Sequence, residues 1–215
     1  MHPAYSVIFF TTASGAGYGL IFLMAMFGAL NGVPIDPWFG AIGLSLGALL
    51  VTGGLLSSTV HLGHPERAWR AYSQWKSSWL SREGVLATVT YLPLILTAWG
   101  WLIVGSLDGE YGFIAAVLAM MCLLTVHSTG MIYATLRTIS AWHNRLTVPG
   151  YLCFALLSGS VWFHALVQMF GHQTPEVALV VIIALFLTFY VKRKYWRSID
   201  TKSGTVTLES ATGLA

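Results

Sequence analysis

Residues 38–84 read WFGAIGLSLGALLVTGGLLSSTVH and then LGHPERAWRAYSQWKSSWLSREG. The first part, Trp38–His61, holds no Asp, Glu, Lys or Arg. The second crowds Glu66, Arg67, Arg70, Lys76, Arg82 and Glu83 among Trp69, Tyr72, Trp75 and Trp79. About 20 apolar residues of helix cross a bilayer. Trp and Tyr gather where such a helix leaves the hydrocarbon. The stretch therefore reads as a membrane span that emerges into an aromatic and basic surface segment.

The rest of the chain repeats this pattern. Of 215 residues, 56% are hydrophobic and 9% charged, whereas soluble proteins carry about 25% charged residues. The composition excludes a soluble fold and predicts an all-α, polytopic transmembrane helix bundle. Six spans are predicted: Tyr5–Leu30, Trp38–His61, Gly84–Gly105, Gly112–Leu136, Pro149–Phe170 and Val177–Val191. The bundle occupies residues 1–195, with an interfacial amphipathic helix at 66–80, and a polar tail follows at 196–215. No Lys or Arg precedes the first span, and that span exceeds the roughly 7–15 residues of a signal-peptide core. It is expected to stay as a membrane helix.

Charge placement gives the topology. All 11 Lys/Arg fall after span two, at or after span four, or after span six. The connections after spans one, three and five hold only Asp36, Asp108, Glu110 and Glu176. Six spans put every basic region and both termini on one side, and the positive-inside rule makes that side the cytoplasm. The formal net charge of +3 thus records orientation and contact with anionic lipid, and nucleic acid is not an expected partner.

Gly63 and Pro65 end the second span, because proline disfavours helix at the residue before it. Beyond it, Ala68, Tyr72, Trp75 and Trp79 recur at spacings that share one helical face. His61 stands at the mouth of the span. A neutral imidazole there can donate to a carbonyl oxygen and take part in proton transfer. Ionisable groups near the membrane interior are functional candidates by default. His61 and His64 alone make a poor metal site. Cys122 and Cys153 lie inside spans and are too few for a disulfide framework or a four-cysteine cluster. The best haem ligands are His127 and His164, about 15 and 22 Å deep when counted at about 1.5 Å per residue. That mismatch leaves no metal or haem expected.

Several stretches carry a resemblance. STVHLGHPERAW, SSWLSREG and STGMIYATLRTISAWHN resemble the membrane anchor family of dimethyl sulfoxide reductase-type molybdenum oxidoreductases. HPAYSVIFFTTASGAGYGL is similar to the branch found with sulfite-oxidising (sulfite dehydrogenase) complexes. The likeness runs through most of residues 2–212, and His61–Ala68 is its most specific part. Proteins of this family usually continue past an Ala-Thr-Gly-Leu segment, whereas this sequence ends at Ala215.

The resemblance implies an anchor in the bacterial inner membrane that exchanges electrons with quinone, ubiquinone or menaquinone. Its implied partners are an iron–sulfur subunit and a molybdopterin catalytic subunit. The family histidine implicated in quinone binding maps onto His61. Ser58 on the same turns, Arg67 on the surface segment, and Tyr133 and Arg137 at the same end of span four complete the expected quinone site. Sulfite oxidation is the expected reaction; reduction of dimethyl sulfoxide by quinol is the alternative. A small proton-coupled transporter is the reading from another class. It is disfavoured because no repeat relates the two halves and Pro93 is the only interior break.

Overall fold

The computed structural model describes residues 5–59, 64–172 and 174–203. Six long helices form, with no strand among the described residues: α1 Tyr5–Ala29, α2 Pro37–Thr59, α3 Trp79–Trp99, α4 Glu110–Ala134, α5 Thr147–Met169 and α6 Pro175–Ser203. All six are long and apolar enough to cross a membrane. Their starts follow local chemistry. Asp36 Oδ1 accepts from the Phe39 N–H at 2.8 Å, with Pro37 in the first turn, where its missing N–H costs nothing. Ser78 caps α3 by accepting from the Ser81 N–H.

The sixth helix is longer than its apolar core predicts. Lys192–Arg197 continue α6, because Lys and Arg are good helix formers whose long stems reach back to water. The helix also takes in the first residues of the segment read as a polar tail. The segment expected as a short interfacial helix at 66–80 adopts 3-10 geometry over Pro65–Gln74 and packs along α3. Tyr72 and Thr88 hydroxyls meet at 2.8 Å.

Helix α1 is the hub, packing on α2, α4 and α5. Small residues set its seams. A Cβ on Gly19 would fall 1.9 Å from Ala155 O, and one on Gly159 would fall 2.2 Å from Gly19 C. The backbones of α1 and α5 therefore touch, as small residues allow in membrane bundles. Contacts of Gly17 with Val51 and of Gly54 with Ser14 run α1 against α2 in opposite directions. Gly130 against Val148 pairs the end of α4 with the start of α5. The connections bearing Lys and Arg thus meet at one end of the bundle, the basic face.

At the other end, Trp101 is fully buried and its Nε1–H donates to Asp36 O at 3.0 Å. It sits in a π-helical turn, Gly100–Val104, which ends at Gly105 with φ 71°. Pro93 lies inside α3 without ending it; the helix leaves α geometry two turns later, where the indole is accommodated.

Candidate quinone-type site on the basic face

A cavity of about 400 Å3 opens near the basic face between α1, α4, α5 and α6. Its walls carry Thr11, Thr12, Ser14 and Gly15 from α1, Val126 and Thr129 from α4, and Thr147, Gly150, Tyr151, Phe154, Ala155 and Ser158 from α5. Helix α6 adds Val191, Lys192 and Tyr195. The connection between α4 and α5 holds α6 in place: Tyr195 OH donates to Ala141 O at 2.9 Å, and Asn144 Nδ2 donates to Ser198 Oγ. Helices α1 and α6 border the cavity with little direct packing between them.

The lining has a consistent polarity. Thr12 donates to Ile8 O at 2.8 Å, Ser14 to Phe10 O at 2.6 Å, Thr147 to Trp142 O at 2.7 Å and Ser158 to Phe154 O at 2.7 Å. These hydroxyls spend their protons on backbone carbonyls and leave oxygen lone pairs available. An apolar slot with a few polar groups at one end suits a flat, amphipathic headgroup on an apolar tail.

Behind this wall lies a buried carboxyl. Arg82 and Glu83 are adjacent in sequence but part in space. Arg82 turns outward: Nε donates to Trp75 O at 2.9 Å, and the guanidinium lies 4.3 Å from the Trp79 ring centroid. Glu83 turns inward and is 4% exposed. Thr129 Oγ1, itself part of the cavity wall, donates to Glu83 Oε1. A hydroxyl both donates and accepts, so this contact survives whether or not the carboxyl carries a proton. Burying a carboxyl is costly, and such a group inside a membrane span marks a functional candidate.

Of the residues expected from sequence, Ser58, Arg67, Tyr133 and Arg137 do not line this cavity. His61 lies outside the described residues. Ser57, four positions earlier, donates to Ser6 O at 3.0 Å, which ties the end of α2 to the start of α1. Ser58 donates to Leu55 O within its own helix. Arg67 is exposed, with Nε 3.7 Å from Glu66 Oε1. Arg137 is exposed in the turn after α4. Tyr133 comes nearest the cavity: its ring stacks on Tyr151 at 5.4 Å and meets Trp142 edge-on at 5.1 Å.

Sequence reasoning places Arg82 and Glu83 together at the entry to span three, among the polar groups that could complete a quinone pocket, and does not tell the two apart. The histidines weighed for haem sit apart. His127 packs edge-on against Trp79 at 5.8 Å. Counted from the ends of α4 and α5, His127 and His164 lie about 10 and 25 Å from the basic face, further apart than the sequence spans predict. Both cysteines are buried and unpaired. Among the described residues, no three His, Cys, Asp or Glu side chains cluster as metal ligands.

Comparison with known proteins adds an independent line. A family model described as DMSO reductase anchor subunit (DmsC) matches residues 1–207. The chain is 38% identical over 184 residues to a sulfite dehydrogenase subunit of Allochromatium vinosum. That alignment covers 74% of this chain and 53% of the relative, so the chain spans about half the length of the curated protein it matches. No solved structure matches.

Proposed function

This chain belongs to the DMSO reductase anchor subunit family, and on that premise we propose that it is the quinone-reactive anchor of a molybdenum and iron–sulfur oxidoreductase. As a member of a membrane-anchor family with six apolar helices, it is a multi-pass membrane protein. In this reading it sits in the bacterial inner membrane with both termini cytoplasmic, as the one-sided distribution of Lys and Arg supports. An iron–sulfur subunit docks on the basic face and carries electrons to or from a molybdopterin subunit. The relative named for sulfite dehydrogenase favours sulfite as the substrate.

The observation that carries the proposal is the cavity itself. It lies at the face where the partner would dock, is bordered by α1 and α6 where they pack little against each other, and has hydroxyls on its walls with a buried carboxyl behind Thr129. The quinone headgroup enters between α1 and α6. Thr129 passes protons between Glu83 and the headgroup, while the tail remains between α1 and α6. Tyr133 supports the Tyr151 wall by stacking. The family resemblance also assigns a quinone carbonyl to His61, which lies outside the described residues.

Gly150 provides the test, because a Cβ there meets nothing within 4 Å. Gly150→Phe projects a ring into the cavity without forcing the backbone. Quinone-linked turnover of the assembled complex should fall about 5- to 150-fold, as for a clash of about 1–3 kcal/mol between the new ring and the bound headgroup. Oxidation with a soluble dye bypasses the membrane site and should persist. Unchanged quinone-linked turnover would place the headgroup elsewhere. In the same assay, His61→Ala should weaken quinone affinity about 2- to 13-fold, the worth of one neutral hydrogen bond. If dye-linked and quinone-linked activities fall together as the complex dissociates, His61 is an assembly residue.

A further inference from the structure

Basic residues close α6, and Lys192 behaves differently from those beside it. Arg193 and Arg197 are exposed, and Lys194 lies over the Tyr190 ring at 4.6 Å. Lys192 is half-buried and lines the cavity. Its ammonium lies 5.0 Å from the Tyr195 ring centroid, 5.2 Å from that of Trp196 and 5.8 Å from that of Phe154. Among the described residues, no carboxylate stands within ion-pair distance of it. Three ring faces hold the cation at the cavity rim through their quadrupoles. Tyr195 and Trp196 lie one turn further along α6 and Phe154 lies on α5, so the lysine stem bridges the two helices at the rim of the chamber.

The rest of the lining explains what such a cation can do. The hydroxyls of Thr12, Ser14, Thr147 and Ser158 donate to backbone carbonyls and offer a ligand mainly acceptors. An oxygen gaining negative charge finds few donors among them. Lys192 supplies three N–H donors and a full positive charge. Charge-assisted hydrogen bonds of this kind are about twice as strong as neutral ones.

Resting on the quinone reading above, we propose that Lys192 binds the quinone headgroup and stabilises its one-electron-reduced anion. An iron–sulfur donor delivers electrons singly. The first converts the quinone to a semiquinone anion, with negative charge on a ring oxygen beside the Lys192 ammonium. The second electron, together with two protons, completes the quinol. In quinol oxidation the same two electrons and two protons leave in reverse order. Lys192 keeps its proton throughout and acts as a fixed charge, while proton transfer belongs to the Glu83–Thr129 pair.

The test uses the complete complex reconstituted in nanodiscs, with Lys192→Met, Lys192→Arg and Gly150→Phe side by side. Redox titration followed by electron paramagnetic resonance reads the semiquinone. Lys192→Met should lower the semiquinone stability constant about 10- to 150-fold, the range for losing one charged hydrogen bond. Dye-linked activity should persist, and Lys192→Arg should restore most of the radical. Equal radical yield in Lys192→Met and the unaltered complex, or no radical in either, overturns the assignment. So does an effect of Lys192→Met that appears in phosphatidylglycerol discs but not in zwitterionic ones, which makes Lys192 a lipid contact. If Gly150→Phe blocks quinone turnover and Lys192→Met changes nothing, the cavity reading stands and only the Lys192 assignment falls. If Gly150→Phe leaves quinone turnover intact, the cavity reading falls as well.

Discussion

The two ends of the bundle are built on opposite principles. From the midplane to the non-basic face the helices themselves pack tightly, while the loops beyond them line an open pocket of about 550 Å3 at Asn31, Val33, Ile35, Gly171, His172 and Thr174. A Cβ on Gly28 would meet Trp101 at 2.5 Å, and one on Gly40 would meet it at 2.4 Å. Phe27, Phe39, Phe163 and Phe170 form a continuous aromatic cluster, with ring centroids 5.1–6.1 Å apart. The basic half is looser and hydroxylated. Gly53, Gly84 and Gly150, the helical glycines whose Cβ would meet nothing within 4 Å among the described residues, all lie there. Close packing gives a membrane bundle its stability through dispersion contacts, and a ligand chamber forfeits some of those contacts. The difference teaches that the solid end holds the helices in place so that the open end can remain open.

The largest expected effect attacks the seam beneath the cavity. Gly159→Val puts side-chain atoms where the Gly19 backbone lies. Neither backbone can yield without separating α1 from α5. The anchor should fail to accumulate, and dye-linked activity should shift from the membrane to the soluble fraction. Normal membrane accumulation of the variant would show that the seam is not structural. The contrast with Gly150→Phe, also on α5, sharpens the comparison between a glycine that permits contact and one that leaves space.

Next in size is the buried carboxyl. Glu83→Gln keeps the shape and the hydrogen bond to Thr129 but cannot carry a proton. Quinone-linked turnover should fall about 10²- to 10⁴-fold, the usual worth of a positioned acid or base. Dye-linked activity and membrane assembly should be retained. If turnover drops only in step with the amount of assembled complex, Glu83 is a packing residue, and the two ends of the molecule differ less than their geometry implies.

Glu83 also marks how far sequence reading reaches. Span number, helix polarity and the one-sided basic charge are legible, because apolar length and charge placement follow directly from the bilayer. The inward turn of Glu83 is not, since Arg82 and Glu83 look alike as a charged pair beside a span. Only the partners distinguish them: carbonyls and a Trp ring for Arg82, a buried threonine for Glu83. Lys192 reads in the sequence as a topological charge among neighbours of the same kind. Its rotation toward the cavity depends on Phe154 of another helix, which no local pattern encodes. The turn at Gly100–Val104 has no sequence signal of its own: Pro93 looks like the helix breaker, while buried Trp101 governs the geometry.

The smallest expected effect on activity tests the solid end. Trp101→Phe removes the hydrogen bond from Nε1 to Asp36 O and leaves part of a fully buried site unfilled. The lost bond is worth about 0.5–1.5 kcal/mol, and the residual cavity adds a penalty that depends on local collapse. Gly28 and Gly40 both rest on this indole, so helices α1 and α2 can settle inward and recover some contact. Thermal unfolding of the purified complex should begin at a lower temperature, while quinone-linked turnover and affinity stay within about 2-fold of the unaltered protein, since a stability change of this size leaves nearly all molecules folded. A large loss of quinone turnover with unchanged thermal stability would break the division of labour. It would mean that the packed end transmits its geometry to the chamber, and that the open half is held in shape by Trp101 across the full thickness of the bundle.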